Sequence, residues 1–188
     1  MRIRRIPLLA AAAALACALA LAGPAGATNV TDPDYPRSLD TEGPVAVSWT
    51  DPAEFTELRH SRNRFEARRG DWVRSLARHL AKRAARELAP GERLEVEITD
   101  IKRAGEFEWS TGRSDHVRVV RDIYPPRIDL RFTRLDAEGN VVDSGERQLT
   151  DLGFLSRAGG SVGMDDPLRH EKRLVDDWIR SDIATRGG

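Results

Sequence analysis

The sequence predicts an α+β fold: a two-layer sandwich in which a four-stranded, mainly antiparallel sheet carries two helices on one face. Two observations lead to this prediction. Three segments alternate apolar and polar residues with the period of two that a half-buried strand requires, and a fourth strand is expected where the chain returns after a turn. Two other segments repeat apolar residues at the spacing of a helix that buries one side. The chain order is strand, helix, three strands and helix, and both helices are expected to cover the apolar face.

The first strand and the longest helix lie early in the predicted domain. Val45, Val47 and Trp49 alternate with small or polar residues, which predicts a strand with one apolar face. Residues 64–89 are predicted as one helix that ends before Pro90. Its apolar side chains fall within one broad side: Phe65, Trp72, Val73, Leu76, Ala77, Leu80, Ala84 and Leu88. This helix should therefore pack against the sheet.

Three further strands and a second helix complete the predicted domain. Apolar and polar residues alternate over residues 94–99 and 128–133, and after a turn over residues 136–140 the chain returns as a fourth strand over residues 141–149. A last helix follows Pro167. Its apolar side is formed by Leu168, Val175, Trp178 and Ile179. The core is expected to bury together Trp49, Leu76, Leu80, Ile98, Phe132 and Trp178.

The first 27 residues have the order of a cleavable secretory signal peptide. Three arginines precede a long apolar run, which ends in an Ala-Gly-Ala cleavage pattern. A membrane anchor is the rival interpretation, but Pro24 and Gly26 would break a helix where a span has to continue. Lipid attachment at Cys17 is a second rival, and the residues before Cys17 match a lipobox poorly. We expect cleavage after Ala27 and export to the periplasm.

The mature chain is predicted as one domain without disulfides. Residues 28–44 carry three prolines and a glycine without either period and are interpreted as a flexible leader, residues 45–183 as the single α+β domain, and residues 184–188 as a disordered tail. Removing the signal leaves 27 basic and 30 acidic side chains and no cysteine. This charge does not favour nucleic acid as a partner. No transmembrane segment, cofactor or metal site is expected in the mature chain, since its four histidines lack ligand spacing.

Several segments of the chain resemble a known bacterial family. They are Asp51-Pro52 with Phe55 and Arg59, residues 121–128, residues 144–146 and residues 166–172. Together they are similar to the domain of unknown function 3016 family, over about residues 45–178, and the run through Tyr124 and Arg127 is the most distinctive part. The resemblance implies a small exported protein of Gram-negative bacteria, with no assigned activity and no site residues.

Two surface features are candidate binding sites. The polar side of the long helix carries a cluster of six basic residues: Arg64, Arg68, Arg74, Arg78, Lys82 and Arg86. Their guanidinium and ammonium groups could hold phosphate or carboxylate. Four of them recur every four residues: Arg74, Arg78, Lys82 and Arg86. We call these four residues the basic stripe. Its plain alternative is a solvated helix face.

The second candidate is the segment Tyr124, Pro125, Pro126 and Arg127, which we call the corner. Two prolines restrict the backbone there and favour an extended Tyr124 ahead of the third strand. A rigid corner of this kind can also present an aromatic ring and a cation to a partner. Structural work and partner recognition are therefore both possible roles.

Three functions follow from these features. The leading hypothesis is a non-enzymatic envelope protein that binds another macromolecule, through the polar face of the sheet or the corner. The alternative is a binder of anionic ligands, such as lipopolysaccharide or lipid head groups, through the basic stripe. A hydrolase that uses His116 with Asp115 is a distant third, because adjacent residues of an extended segment point to opposite faces.

Overall fold

A computed structural model of the chain describes residues 29–40, 43–108, 116–156, 163 and 165–184. The described residues form a mixed α/β domain with a four-stranded sheet, which confirms that part of the sequence prediction. The predicted signal peptide, the A-x-A cleavage site and residues 185–188 of the predicted tail lie outside the described residues. Within the described part of the chain, no helix has the length and apolar character needed to cross a bilayer.

The four-stranded sheet has the order β1-β2-β5-β6. Its strands are β1 (Val45–Trp49), β2 (Arg93–Lys102), β5 (Arg127–Leu135) and β6 (Val141–Thr150). β1 runs parallel to β2, whereas β2, β5 and β6 are antiparallel neighbours. A separate two-stranded ribbon, β3 (Glu106–Phe107) with β4 (Arg118–Val119), was not predicted from the sequence.

The helices are α1 (Thr56–Arg59), α2 (Arg64–Arg68), α3 (Trp72–Ala84) and α4 (Arg169–Trp178). A short 3-10 turn, Pro52–Glu54, precedes α1, and a wider turn, Ile179–Ile183, follows α4. Alternate residues of β1, β2 and β5 are buried, and α3 and α4 contact each other and the sheet. The predicted core residues are all buried: Trp49, Leu76, Leu80, Ile98, Phe132 and Trp178.

The single helix predicted over residues 64–89 is wrong. The chain forms α2 and α3 instead, separated by a break at Gly70, whose φ of 86° lies in the left-handed region that glycine adopts without steric cost. The indole Nε1 of Trp72 donates a hydrogen bond to the carbonyl of Ala67 across the break, at 3.0 Å. Phe65, predicted to face the core, is 57% exposed because α2 leaves the axis of α3.

Residues 29–40, predicted as part of a flexible leader, are packed onto the domain. Val30 is fully buried and Tyr35 nearly so, and the Tyr35 hydroxyl donates to Asp71 Oδ1 at 2.5 Å. The leader also runs along the outer edge of β1, where the amide of Leu39 donates to the carbonyl of Val47 at 2.9 Å. An edge strand presents unpaired backbone groups, and the leader satisfies them. The domain therefore begins before Val45.

Candidate functional site

The corner is held rigidly at one end of the sheet. The carbonyl of Tyr124 accepts a hydrogen bond from the amide of Gly105 at 3.0 Å, and Pro126 is buried. The guanidinium of Arg127 contacts Asp100 Oδ2 at 2.8 Å and the Thr56 hydroxyl at 2.9 Å. Arg127 therefore ties the first residue of β5 to β2 and α1, and its charge is already paired within the fold.

Asp100 is the acid that receives the corner's arginine. Burial by itself would raise the pKa of Asp100, but hydrogen bonds from the Thr56 hydroxyl and amide and from Arg127 hold it below its ordinary value. The two Thr56 bonds are 2.6 and 2.5 Å long. The Asp100 carboxylate is consequently charged at neutral pH, and its three charge-assisted hydrogen bonds hold Thr56 of α1 and Arg127 of the corner.

Large apolar side chains are exposed at the same end of the sheet. Ile123, just before the corner, is 66% exposed, and Leu152, just after β6, is 75% exposed. Because Arg127 pairs with Thr150 in the sheet register, these two residues flank paired strand ends. Leu155 is also exposed, while Phe154 between the two leucines is buried. We call Ile123, Tyr124, Leu152 and Leu155 the corner patch.

Only part of the predicted basic stripe is exposed and without an acidic partner in the structure. Arg74 is half-buried, and Arg78 contacts Asp71 at 3.4 Å. Lys82 is exposed one turn further along α3, and Arg86 lies beyond the end of the helix, in the turn that follows Ala84. In the part of the chain that the structure describes, no carboxylate lies within 4 Å of Lys82 or Arg86, so their charges face solvent.

An apolar groove runs beside the basic stripe. It has a volume of about 390 Å³. Its lining residues are Leu39, Gly43, Pro44, Val45, Arg78, Ala81, Lys82 and Ala85. The two basic residues stand among otherwise small or apolar ones, so the groove combines an apolar floor with cationic side chains.

A buried ion cluster, which sequence reasoning missed, lies beneath the ribbon. The Glu57 side chain of α1 is fully buried. Arg103 donates to its Oε1 through Nε and Nη2 at 3.1 and 2.9 Å, and the Arg103 amide donates to Oε2 at 3.0 Å. Arg118 of β4 also binds Oε1, and Lys102 Nζ lies 3.5 Å from Oε2. Burial would raise the pKa of Glu57, but Arg103, Arg118 and Lys102 together lower it.

Two further ionisable groups are buried at the start of α4. Glu171 accepts a hydrogen bond from the Ala104 amide at 2.6 Å, and burial raises the pKa of its carboxyl. His170 is also buried, with the edge of the ring of Phe154 packed against it at a centroid distance of 4.8 Å. Burial, reinforced by the charges of Arg169 and Arg173, lowers the pKa of His170 to about 4. His170 is therefore neutral at pH 7.

The hydrolase hypothesis rests on His116, which lies in the described part of the chain, and on Asp115. His116 is mostly exposed, and its Nδ1 lies 3.3 Å from Glu66 Oε1. Asp115 lies outside the described residues. Four cavities among the described residues do not include His116 in their lining. Those residues also contain no group of three or more His, Cys, Asp or Glu side chains that could hold a metal ion.

The fold and these sites define a small α/β domain. Many of its charged side chains form ion pairs with one another, and its corner patch exposes large apolar side chains. Residues 43–181 match the family described as protein of unknown function (DUF3016). The chain belongs to that family, which confirms the resemblance seen in the sequence. No curated protein and no solved structure matches the chain.

The buried ion cluster leads to a stability prediction. Glu57→Gln keeps the side-chain shape but removes the negative charge, so three cations are left without their shared partner. We expect the free energy of unfolding to fall by about 3 to 5 kcal/mol, measured by urea denaturation. The control is Glu54→Gln, because the Glu54 side chain is 74% exposed and 4.0 Å from Arg59; it should change stability by about 0.5 kcal/mol or less. Equal midpoints for wild type and Glu57→Gln would contradict the prediction.

His170 leads to a prediction about acid stability. In the unfolded chain the imidazole takes up a proton near pH 6.5, its ordinary pKa, whereas in the folded protein it does so only near pH 4. The folded state is therefore destabilised by this group as the pH falls from about 6.5 to about 4; the penalty is absent above that window and complete below it. We expect His170→Phe to lose less stability than wild type between about pH 7 and about pH 5 in urea titrations. Parallel losses in the two proteins would refute this role.

Proposed function

We propose that the protein is an exported, non-enzymatic interaction module that binds a protein partner through its corner patch. The observation that carries the proposal is the exposure of Ile123 and Leu152 beside a corner that hydrogen bonds and an ion pair hold in place. A group of large exposed apolar side chains near one end of a sheet favours a binding site there. Tyr124 adds the kind of side chain that often dominates binding energy.

Rigidity makes the corner patch suited to recognition. A partner that binds a mobile loop has to pay the entropy of ordering it, whereas the corner is ordered before binding. Pro126 is buried and Arg127 is bound to Asp100, so neither is free to leave the fold. Phe154, packed on His170, similarly anchors the turn that carries Leu152 and Leu155. The affinity would then come from burying Ile123, Leu152 and the Tyr124 ring.

The proposal includes a two-layer arrangement with α3 and α4 on one face of the sheet. The alternating burial along β1, β2 and β5 supports it. The other face would carry polar side chains such as Arg131, which contacts Glu146 at 2.8 Å and Glu97 at 3.2 Å. Because these charges are paired across the strands, the polar face is a weaker candidate for the partner than the corner patch.

The proposed location is the periplasm of a Gram-negative bacterium. It is supported by the basic, apolar and small-residue order of residues 1–27, which is the pattern of a cleavable signal peptide. The absence of cysteine after residue 17 means that export would bring no disulfide, so the buried core and ion pairs would have to stabilise the mature domain.

Site-specific photocrosslinking in the native host tests the partner proposal. A photoreactive phenylalanine analogue at position 123 or 152 should capture the same protein, because both positions lie in the corner patch. The matched control is position 138, exposed in the turn between β5 and β6 at the opposite end of the sheet, which should capture nothing in common. Mass spectrometry of the product also shows whether the mature N-terminus is Thr28. Identical products from all three positions, or none from 123 and 152, would reject the corner patch.

The alternative function, binding of anionic lipid head groups, is supported by the apolar groove beside Arg78 and Lys82. An acyl chain could lie on Leu39 and Val45 while the head group meets the two cations. In this reading the basic stripe is reduced to Arg78 and Lys82, since Arg74 is half-buried and Arg86 lies beyond the helix.

Vesicle flotation tests this alternative. Wild type should float with vesicles of phosphatidylcholine and phosphatidylglycerol at low salt, and Arg78→Glu with Lys82→Glu should abolish flotation without lowering the melting temperature. The matched control is Arg93→Glu with Arg180→Glu, which makes the same charge change at exposed residues away from the groove. Loss of flotation in both double variants would mean that overall charge, not the groove, attracts the vesicles.

A further inference from the structure

A second cavity, separate from both the corner patch and the basic stripe, lies where α1 and α2 meet the leader. It has a volume of about 520 Å³, within the range of about 300 to 1,000 Å³ typical of small-molecule sites. Its lining residues are Thr31, Ala53, Leu58, Arg59, His60, Arg64 and Arg68. The lining contains three arginines and a histidine but no acid, and we call it the arginine pocket.

The positive charge of the arginine pocket is poorly neutralised by the rest of the fold. Residues 59–69 contain five arginines and a single acid, Glu66. Both carboxylate oxygens of Glu66 accept hydrogen bonds from Arg69 Nη1 at 3.0 Å. Glu66 does not line the pocket. In the described chain, Arg64 and Arg68 have no carboxylate within 4.0 Å, and Arg59 has only the exposed Glu54 at that distance.

Contacts within the chain hold the walls of the arginine pocket in place. Arg64 Nη2 donates to the carbonyl of Arg59 at 3.3 Å, and the Arg68 guanidinium lies over the Phe65 ring, 5.4 Å from its centroid. The leader closes one side, because the amide of Val30 donates to the carbonyl of Arg68 at 3.0 Å. The buried side chain of Leu58 contributes an apolar surface.

From these features we propose that the arginine pocket binds the phosphoryl group of a phosphorylated organic molecule. Guanidinium groups match phosphate oxygens in a bidentate geometry, and several unpaired guanidiniums favour a dianion over a single carboxylate. Leu58 and Ala53 offer contact to the organic part. A soluble phosphate ester and a phospholipid head group share this chemistry. The proposal is independent of the partner surface and of the stripe.

Calorimetric titration at low salt with pyrophosphate, used as a soluble probe, tests the arginine pocket. Wild type should bind pyrophosphate, and Arg64→Gln with Arg68→Gln should weaken binding by about tenfold or more, because each lost arginine removes charge-assisted hydrogen bonds. The matched control is Arg78→Gln with Lys82→Gln, which removes the same charge from the stripe and should change the affinity by less than about twofold. Circular dichroism melting verifies that both double variants are folded.

Competition then identifies the source of the phosphoryl group. If vesicles of phosphatidylcholine and phosphatidic acid displace pyrophosphate from wild type, the pocket accepts a lipid head group. If they do not, it is a site for a soluble ester, and both outcomes support the proposal. The proposal is overturned if wild type does not bind pyrophosphate, if the pocket variant binds as wild type does, or if the stripe variant loses affinity equally. None of these results depends on whether a partner binds the corner patch.

Discussion

The arrangement of helices, strands and ribbon in this domain depends most on the ion pairs of one fully buried carboxylate, that of Glu57. A carboxylate without water is stable only when cations and amides surround it, and Arg103, Arg118 and Lys102 meet that need here. Arg103 also donates to the carbonyl of Ala67 at 3.0 Å and lies over the Trp72 ring. One charge therefore joins α1, the break between α2 and α3, the end of β2 and the ribbon.

This internal pairing explains how a chain with so many charged residues leaves distinct surfaces free. Arg127 and Asp100 neutralise each other at the corner, and Arg131 pairs across the strands with two glutamates. Among the groups left exposed without such a role are the apolar side chains of the corner patch and the unpaired arginines of the arginine pocket. The two surfaces differ in chemistry, which is why we propose a protein partner for one and a phosphorylated ligand for the other.

The candidate sites could be predicted from the sequence only in part. The corner was visible because two consecutive prolines restrict a backbone locally, yet Arg127 proved to be an internal ion-pair partner rather than a free cation. The basic side of the predicted long helix was visible as a periodic pattern, but Gly70 separates α2 from α3 and so divides its arginines between two surfaces. Arg64 and Arg68 consequently line the arginine pocket, and Arg78 and Lys82 line the apolar groove.

The sequence by itself determined the four strands of the sheet, most of the core side chains and the family, because alternation and local motifs are properties of neighbouring residues. Trp49, Ile98 and Phe132 are buried as their strand patterns require. The tertiary structure decided which charges meet, since the partners of Glu57 lie 45 to 61 residues away along the chain. It also decided that the leader packs on β1 and α2. The leader forms hydrogen bonds with backbone groups at the sheet edge and on the helix, and these groups are brought into position only when the sheet and the helices have formed.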